Sequence, residues 1–169
     1  MAKIEEARAI RYLIDALEDK AAVALLLQGE LFGAAVFHCQ QLCEKSIKAC
    51  LSLVGVFAAT DHRVSDLFVE HVLPRMEEKF KTQALRLMQD VAGIEWFYIP
   101  SRYGVNRYGR IWVREYDAQE AVGITETAEA FFEVCKQFVE MTIGQGLPAE
   151  RGELLRFLQD NYSEVLREA

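Results

Sequence analysis

The stretch AVFHCQQLCEKSIKACL, residues Ala35–Leu51, decides the fold. Its apolar positions, Ala35, Val36, Cys39, Leu42, Cys43, Ile47 and Cys50, recur at three and four residues, the spacing of an amphipathic helix and not of a strand. With Phe32 before it and Leu53 after it, the stripe predicts a helix from about residue 30 to residue 54. On a helical wheel Phe37, Gln40, Gln41, Glu44 and Lys48 fall within about 60° of one direction, and Cys39, Leu42, Cys43, Ser46 and Cys50 point the other way. The polar row has two readings. It is a solvated face carrying an ordinary Glu44–Lys48 pair, or it lies against another surface, either a second subunit or a loop. A phenylalanine amid the polar row favours the second.

Working outward, the same periodicity continues on both sides. Before the stretch, Ile10, Leu13, Ile14, Leu17, Ala21, Ala24 and Leu25 predict a first helix from Lys3 to about Leu27, interrupted by Gly29. After it, "GVFAATD" breaks the pattern, Asp61 is a candidate N-cap, and residues 62–71 read as a short helix. Pro74 is suited to open a helix, and Met76, Phe80, Ala84, Leu87 and Val91 extend it to about Ala92. Another long helix runs from Ala118 to Gly144, and the tail after Pro148 reads as an appended helix through Leu154, Leu158, Tyr162 and Val165. Four long amphipathic helices with short connections predict an all-α, antiparallel up-and-down four-helix bundle over residues 1–145, with a C-terminal helical extension, residues 146–169, packed on the same domain.

Composition sets the outer limits. A chain of 169 residues, 51% hydrophobic and 27% charged, buries enough surface to fold without a metal or disulfide. No apolar run reaches the ~20 residues of a membrane span, and the mixed charges of the first twenty residues are unlike a signal peptide, so a cytoplasmic protein is expected. The net charge of −7 disfavours indiscriminate binding to nucleic acid. Three of the four cysteines sit at offsets of four and seven with no Cys-x-x-Cys pair, and the histidines are scattered. Reduced core cysteines are expected, with no metal and no cofactor.

One segment departs from the acidic balance. "WFYIPSRYGVNRYGRIWVREYD", Trp96–Asp117, holds seven of the eighteen aromatics and four arginines, Arg102, Arg107, Arg110 and Arg114, with no acid between Trp96 and Arg114. Guanidinium forks match phosphate and aromatic rings stack on bases, so the combination suits a nucleotide or single-stranded RNA. The alternative is a structural connector whose rings pack on the bundle and whose arginines meet acids on neighbouring helices. "IWVREY" and "WFYIP" could also pair as a β-hairpin.

"FHCQQLCEKSIKACL", then "DHRVSDLF", then "YIPSRY" before a last helix rich in Ala, Phe and Val, resembles the HEPN family, the higher eukaryote and prokaryote nucleotide-binding domain. The resemblance covers about residues 3–143. It implies a four-helix bundle, frequent homodimerisation and association with a small nucleotidyltransferase; many members are RNA-cleaving toxins, others nucleotide-binding or partner modules. Gln41, Glu44, Lys45 and Lys48 match the family's Gln-x-x-Glu-Lys-x-x-Lys pattern, His62 and Asp66 match the histidine and aspartate of the next segment, and Arg102 and Tyr103 match its Arg-Tyr element, with Gly104 in place of the usual proline.

Catalysis is where the chain departs from the family. Ribonuclease members carry an arginine followed after four to six residues by a histidine, whose imidazole moves protons while the arginine steadies phosphate charge. Here no histidine follows His71. The expectation is a nucleotide- or RNA-binding homodimer paired with a nucleotidyltransferase, its site built from Arg102, Tyr103, Arg107, Gln41, Glu44, Lys45, Lys48, His62 and Asp66. The alternative is a ribonuclease toxin of a toxin–antitoxin pair with a non-standard catalytic residue, such as His62 near Arg102.

Overall fold

The structure, a computed structural model, describes residues 3–57, 64–96 and 115–166. Helix α1 spans Lys3–Gln28 and α2 spans Phe32–Leu53. A three-residue helical turn, α3, covers Ser65–Leu67 and passes through a π-helical turn, Phe68–Val72, into a 3₁₀ turn, Leu73–Arg75. Helix α4 is Glu78–Glu95, α5 is Ala118–Ile143 and α6 is Arg151–Leu166.

The short Gly29–Leu31 link turns the chain back, so α1 and α2 run antiparallel. Between α2 and α5 the order is parallel. Cys39 Sγ meets Thr125 Oγ1 at 3.4 Å, and further along Cys50 Sγ reaches the Cys135 carbonyl at 3.6 Å. Helix α4 is antiparallel to α5, for its last turns face Asp117–Thr127 and the chain just before it faces Phe138–Thr142. The result is the expected up-and-down bundle, in which α2 packs along α1 and, across the diagonal, along α5. Helix α6 lies antiparallel on α1, fastened by Arg151 Nη2 to Glu18 at 2.6 Å and by the Tyr162 hydroxyl to Glu6 at 2.9 Å.

The cysteine stripe of α2 forms the centre of the core. Cys39, Leu42, Cys43, Ile47 and Cys50 are buried with Ile10, Leu13 and Ile14 of α1, Phe68, and Phe131, Phe132 and Cys135 of α5. Phe68 and Phe131 meet edge to face with ring centroids 5.2 Å apart, a favoured aromatic geometry. All four cysteines are free and buried. The two hydroxyls in α2's interior are satisfied within the helix, Ser46 donating to the Leu42 carbonyl and Ser52 to that of Lys48.

Three expectations are corrected. Ala21, Ala24 and Leu25 do not continue the buried stripe of α1: they are exposed, Leu25 at 69%, and the buried line runs Ala16, Asp19, Val23 instead. It stays at three- and four-residue steps by admitting a carboxylate, which α2 supplies with donors. Second, α1 is ended by Glu30 as well as Gly29. The Leu31 amide donates to the Leu26 carbonyl and the Glu30 amide to that of Leu27, a Schellman cap that puts Glu30 in the left-handed region at φ 55°. Third, Pro74 sits in the 3₁₀ turn and does not open α4; Met76 and Glu77 are extended, and α4 starts at Glu78. Met76, buried, belongs to the core without belonging to that helix. The polar row of α2, for which the sequence favoured a face lying against another surface, is largely buried. The Asp61 cap and most of the hairpin lie outside the described residues.

Candidate functional site

Helix α2 brings its polar side chains into register because residues four apart stand one above the other. Gln40, Glu44 and Lys48 form such a ladder, and all three are buried, with exposures of 1%, 6% and 6%. Glu44 is its hub. Lys48 Nζ donates to Oε1 at 2.8 Å, while Gln40 Nε2 and Gln41 Nε2 donate to Oε2 at 2.9 and 3.3 Å. Gln41 Nε2 also donates to Gln40 Oε1 at 2.5 Å. A buried carboxylate is tolerated where donors surround it, and here its own helix provides three. This corrects the solvated-face reading and agrees with a face turned toward other protein.

A second buried carboxylate is also held by α2. Asp19 of α1, 5% exposed, points across the α1–α2 seam and is held by two α2 side chains. His38 Nδ1 stands 2.8 Å from Oδ1, and Lys45 Nζ donates to Oδ2 at 2.5 Å. Lys45 is therefore turned away from the Glu44 ladder, one step around the helix. His38, Gln41 and Lys45, at i, i+3 and i+7, form a half-exposed ridge along α2. Phe37 presents its ring to His38 edge on, with centroids 5.2 Å apart.

Neither Asp19 nor His38 was among the residues expected from the sequence. Asp19 belongs to another helix, nineteen positions from His38, so no local spacing joins them. No local signal marked Asp19: the apolar steps of α1 point to Leu17, Ala21, Ala24 and Leu25, while the line that is buried runs Ala16, Asp19, Val23.

Of the remaining expected residues, Asp66 is exposed in α3, and no hydrogen bond or ion pair among the described residues links it to the α2 cluster. His62, Arg102, Tyr103 and Arg107 lie outside the described residues. The segments that carry them adjoin a shared clamp. The Glu95 carboxylate, at the end of α4, accepts from the amides of Val64 and Ser65 (the latter at 3.0 Å) and from the Ser65 hydroxyl at 2.5 Å. It caps the start of α3 in place of a local side chain. At the connector's far end Tyr116 is buried against Val36 and Ala121, and Asp117 caps α5 by accepting from the Glu120 amide at 2.8 Å.

The chemistry these groups offer is acid–base and electrostatic, not thiol chemistry. Burial pushes the Cys39 thiol up to about 11 and drives those of Cys43 and Cys135 well above their ordinary range, so none presents a reactive thiolate at neutral pH. Acidic, basic and amide side chains gather on α2's polar side, and the apolar cysteine side is inert packing.

Comparison with known proteins places this arrangement. The model of the HEPN domain matches residues 10–139, the whole four-helix bundle but for its extremities. "Putative toxin MJ1304" of Methanocaldococcus jannaschii is similar to the chain, 30% identical over 130 residues that make up 75% of this chain and 85% of that protein. No solved structure matches. Among the described residues no helix is long and apolar enough to cross a membrane. With the bundle, its order of helices and the family match in agreement, the chain belongs to the HEPN domain family.

Proposed function

We propose that this HEPN protein binds a nucleotide or RNA, acts as a homodimer and works with a nucleotidyltransferase partner. The polar side of α2, with Gln41, Glu44, Lys45 and Lys48, contributes one wall of the site. Arg102, Tyr103 and Arg107 of the connector, with His62 and Asp66, contribute the rest. The observation that carries this reading is the set of acidic and basic side chains buried on and against α2. A buried ion pair is a weak source of stability, because desolvation offsets much of its attraction, and an apolar pair of the same size commonly serves the fold as well. Three charged side chains, Asp19, Glu44 and Lys48, buried among the described residues are better explained by a task than by folding.

The test is ligand-linked stability. Titrating the protein with ATP, GTP and a short single-stranded RNA should raise the melting temperature with at least one of them, since a ligand of the native state stabilises it by RT ln(1 + [L]/Kd). Arg102→Ala should abolish the rise. No shift with any of them would leave the arginine connector a structural or dimer-forming element. Light scattering coupled to gel filtration checks the homodimer.

A second reading is a ribonuclease toxin. What favours it is the name of the similar Methanocaldococcus jannaschii protein, which carries the word toxin. What it lacks is the family's arginine–histidine motif, since no histidine follows His71.

A further inference from the structure

We propose that the groove between the C-terminal half of α4 and the N-terminal half of α5 is a docking surface for an arginine- or lysine-bearing segment of a protein partner. The groove has a volume of about 630 Å³, within the range of a ligand-sized cleft. Helix α4 lines it with Gln89, Asp90 and Gly93, and α5 with Glu120, Gly123 and Thr127, each set at three- and four-residue steps along one side of its helix. The stretch of α5 from Asp117 to Thr127 is about 15 Å long at the helical rise, a length that suits a peptide segment better than a small ion.

Two glycines in the groove have no explanation within the fold. Gly93 and Gly123 lie inside helices, where glycine is the least favourable residue after proline. Neither is in the left-handed region, which among the described glycines holds Gly55 and Gly144. Both are exposed, and a Cβ at either position would meet nothing within 4 Å, so no neighbour among the described residues needs the space. Both line the same groove. With no side chain at these points on its two walls, a second backbone can come closer to α4 and α5 than alanine would allow.

Charge selects the occupant. Asp90, Asp117 and Glu120 line the groove, and no lysine, arginine or histidine does among the described residues. Asp117 accepts the Glu120 amide at 2.8 Å as the cap of α5, and Asp90 is exposed on α4. Three carboxylates repel a phosphate backbone and attract a cationic chain. Among the described residues no group of three or more His, Cys, Asp or Glu is placed to hold a metal ion, so the charge is spread along the groove and suits a spread partner. This chain's own connector is basic too, and Ile94 just before it and Asp117 at its end line the groove. The choice of a partner over the connector rests on the nucleotide or RNA reading above, which sets Arg102 and Arg107 against phosphate.

The experiment uses the full chain and two fluorescein-labelled peptides long enough to span the groove, one built from arginine, alanine and glycine and one with glutamate in place of each arginine. Binding is read by fluorescence anisotropy, and folding by melting temperature. The wild type should bind the arginine peptide and not the glutamate one, more weakly as salt rises. Gly93→Ala and Gly123→Ala should each raise the melting temperature by about 2–4 °C, because alanine improves a helix interior; a fall would show that the fold requires these glycines and overturn the inference. Gly93→Leu and Gly123→Leu, which fill the groove without changing its charge, should each weaken peptide binding by about tenfold, and Asp90→Asn should weaken it several-fold. Undiminished binding by the leucine variants means that the peptide is held by general negative charge, and overturns the inference. So does a wild type that binds neither peptide, and so does binding that emerges only once Arg102, Arg107, Arg110 and Arg114 are replaced by alanine, which assigns the groove to the connector. Melting shifts with ATP, GTP and RNA are read separately: if they persist while peptide binding fails, the nucleotide reading stands without the groove, and if they are absent while peptide binding holds, the groove stands without that reading.

Discussion

Two buried carboxylates, Glu44 of α2 and Asp19 of α1, are held by α2 side chains, and they are built differently. Three donors to Glu44, Gln40, Gln41 and Lys48, come from its own helix at offsets of three and four. Asp19 draws His38 and Lys45 from the neighbouring helix. The described rungs of the first cluster join residues three and four apart on one helix. The second exists only when α1 and α2 are docked, so it reports tertiary packing and can couple that packing to the state of His38.

The contrast is broken most forcefully at Glu44. Glu44→Ala removes the carboxylate on which buried Lys48 is held, and losing one member of a buried pair costs about 3–5 kcal/mol. In a chain of this size that lowers the melting temperature by about 10 °C, which calorimetry would register. Asp19→Ala should cost less, about 2 kcal/mol, because Lys45 and His38 are half-exposed and can swing into water. Equal losses from the two variants would mean that the two clusters are not energetically distinct. A double-mutant cycle of Asp19→Ala with Lys45→Ala should show coupling, and one of Asp19→Ala with Lys48→Ala should show much less.

The inert side of α2 sharpens the same comparison through pH. Cys39 rises from an ordinary 9.0 to about 11 and Tyr162 from 10.0 to about 12, both chiefly through burial, with the Glu6 hydrogen bond adding to the second. A group whose folded value lies above its unfolded one stabilises fully below the unfolded value and loses that contribution as pH climbs toward the folded one. Denaturant midpoints should thus fall from about pH 9 upward, with Cys39 alone contributing about 1 kcal/mol by about pH 10. A flat profile to pH 11 would contradict the burial of these groups.

The smallest effect concerns the turn that lets α1 meet α2. Glu30 adopts φ 55° at the position where Gly144, φ 80°, closes α5. Glu30→Gly should raise stability by about 0.5 kcal/mol, the relief of a left-handed side-chain residue set against the greater freedom of glycine when unfolded. A loss would show that the Glu30 side chain contributes to the turn.

How far the sequence reveals all this follows from the same division between local and distant partners. The cysteine stripe of α2, the ends of α5 at Asp117 and Gly144, and the three- and four-residue steps of α6 are legible because periodicity and capping act within a few residues. The Glu44–Lys48 rung is legible as a pair but not as a buried one, since burial depends on what other elements lay over it. Asp19 reads as a surface acid until α2 is set beside α1. The choice of Val23 over Leu25 as a core residue is likewise made by the neighbouring helix. Pro74 misleads for a local reason: its ring suits a first helical turn, and here that turn is the 3₁₀ one that precedes α4. Of the candidate site, the α2 members are readable from their offsets, and Asp66 separates from them because α3 leaves it facing water.

The central claim is that α2's polar side and the arginine connector serve one nucleic-acid or nucleotide site. Its most direct test is fluorescence anisotropy of a labelled single-stranded RNA titrated with the wild type, with Arg102→Ala/Arg107→Ala and with Lys45→Ala, each at low and moderate salt. Micromolar or tighter binding by the wild type, weakened at least tenfold in the arginine variant and several-fold in the lysine variant, with a shallower salt dependence in both, is the expected result. Binding that is unchanged by the arginine pair, or by Lys45, would separate the two regions and contradict a shared site.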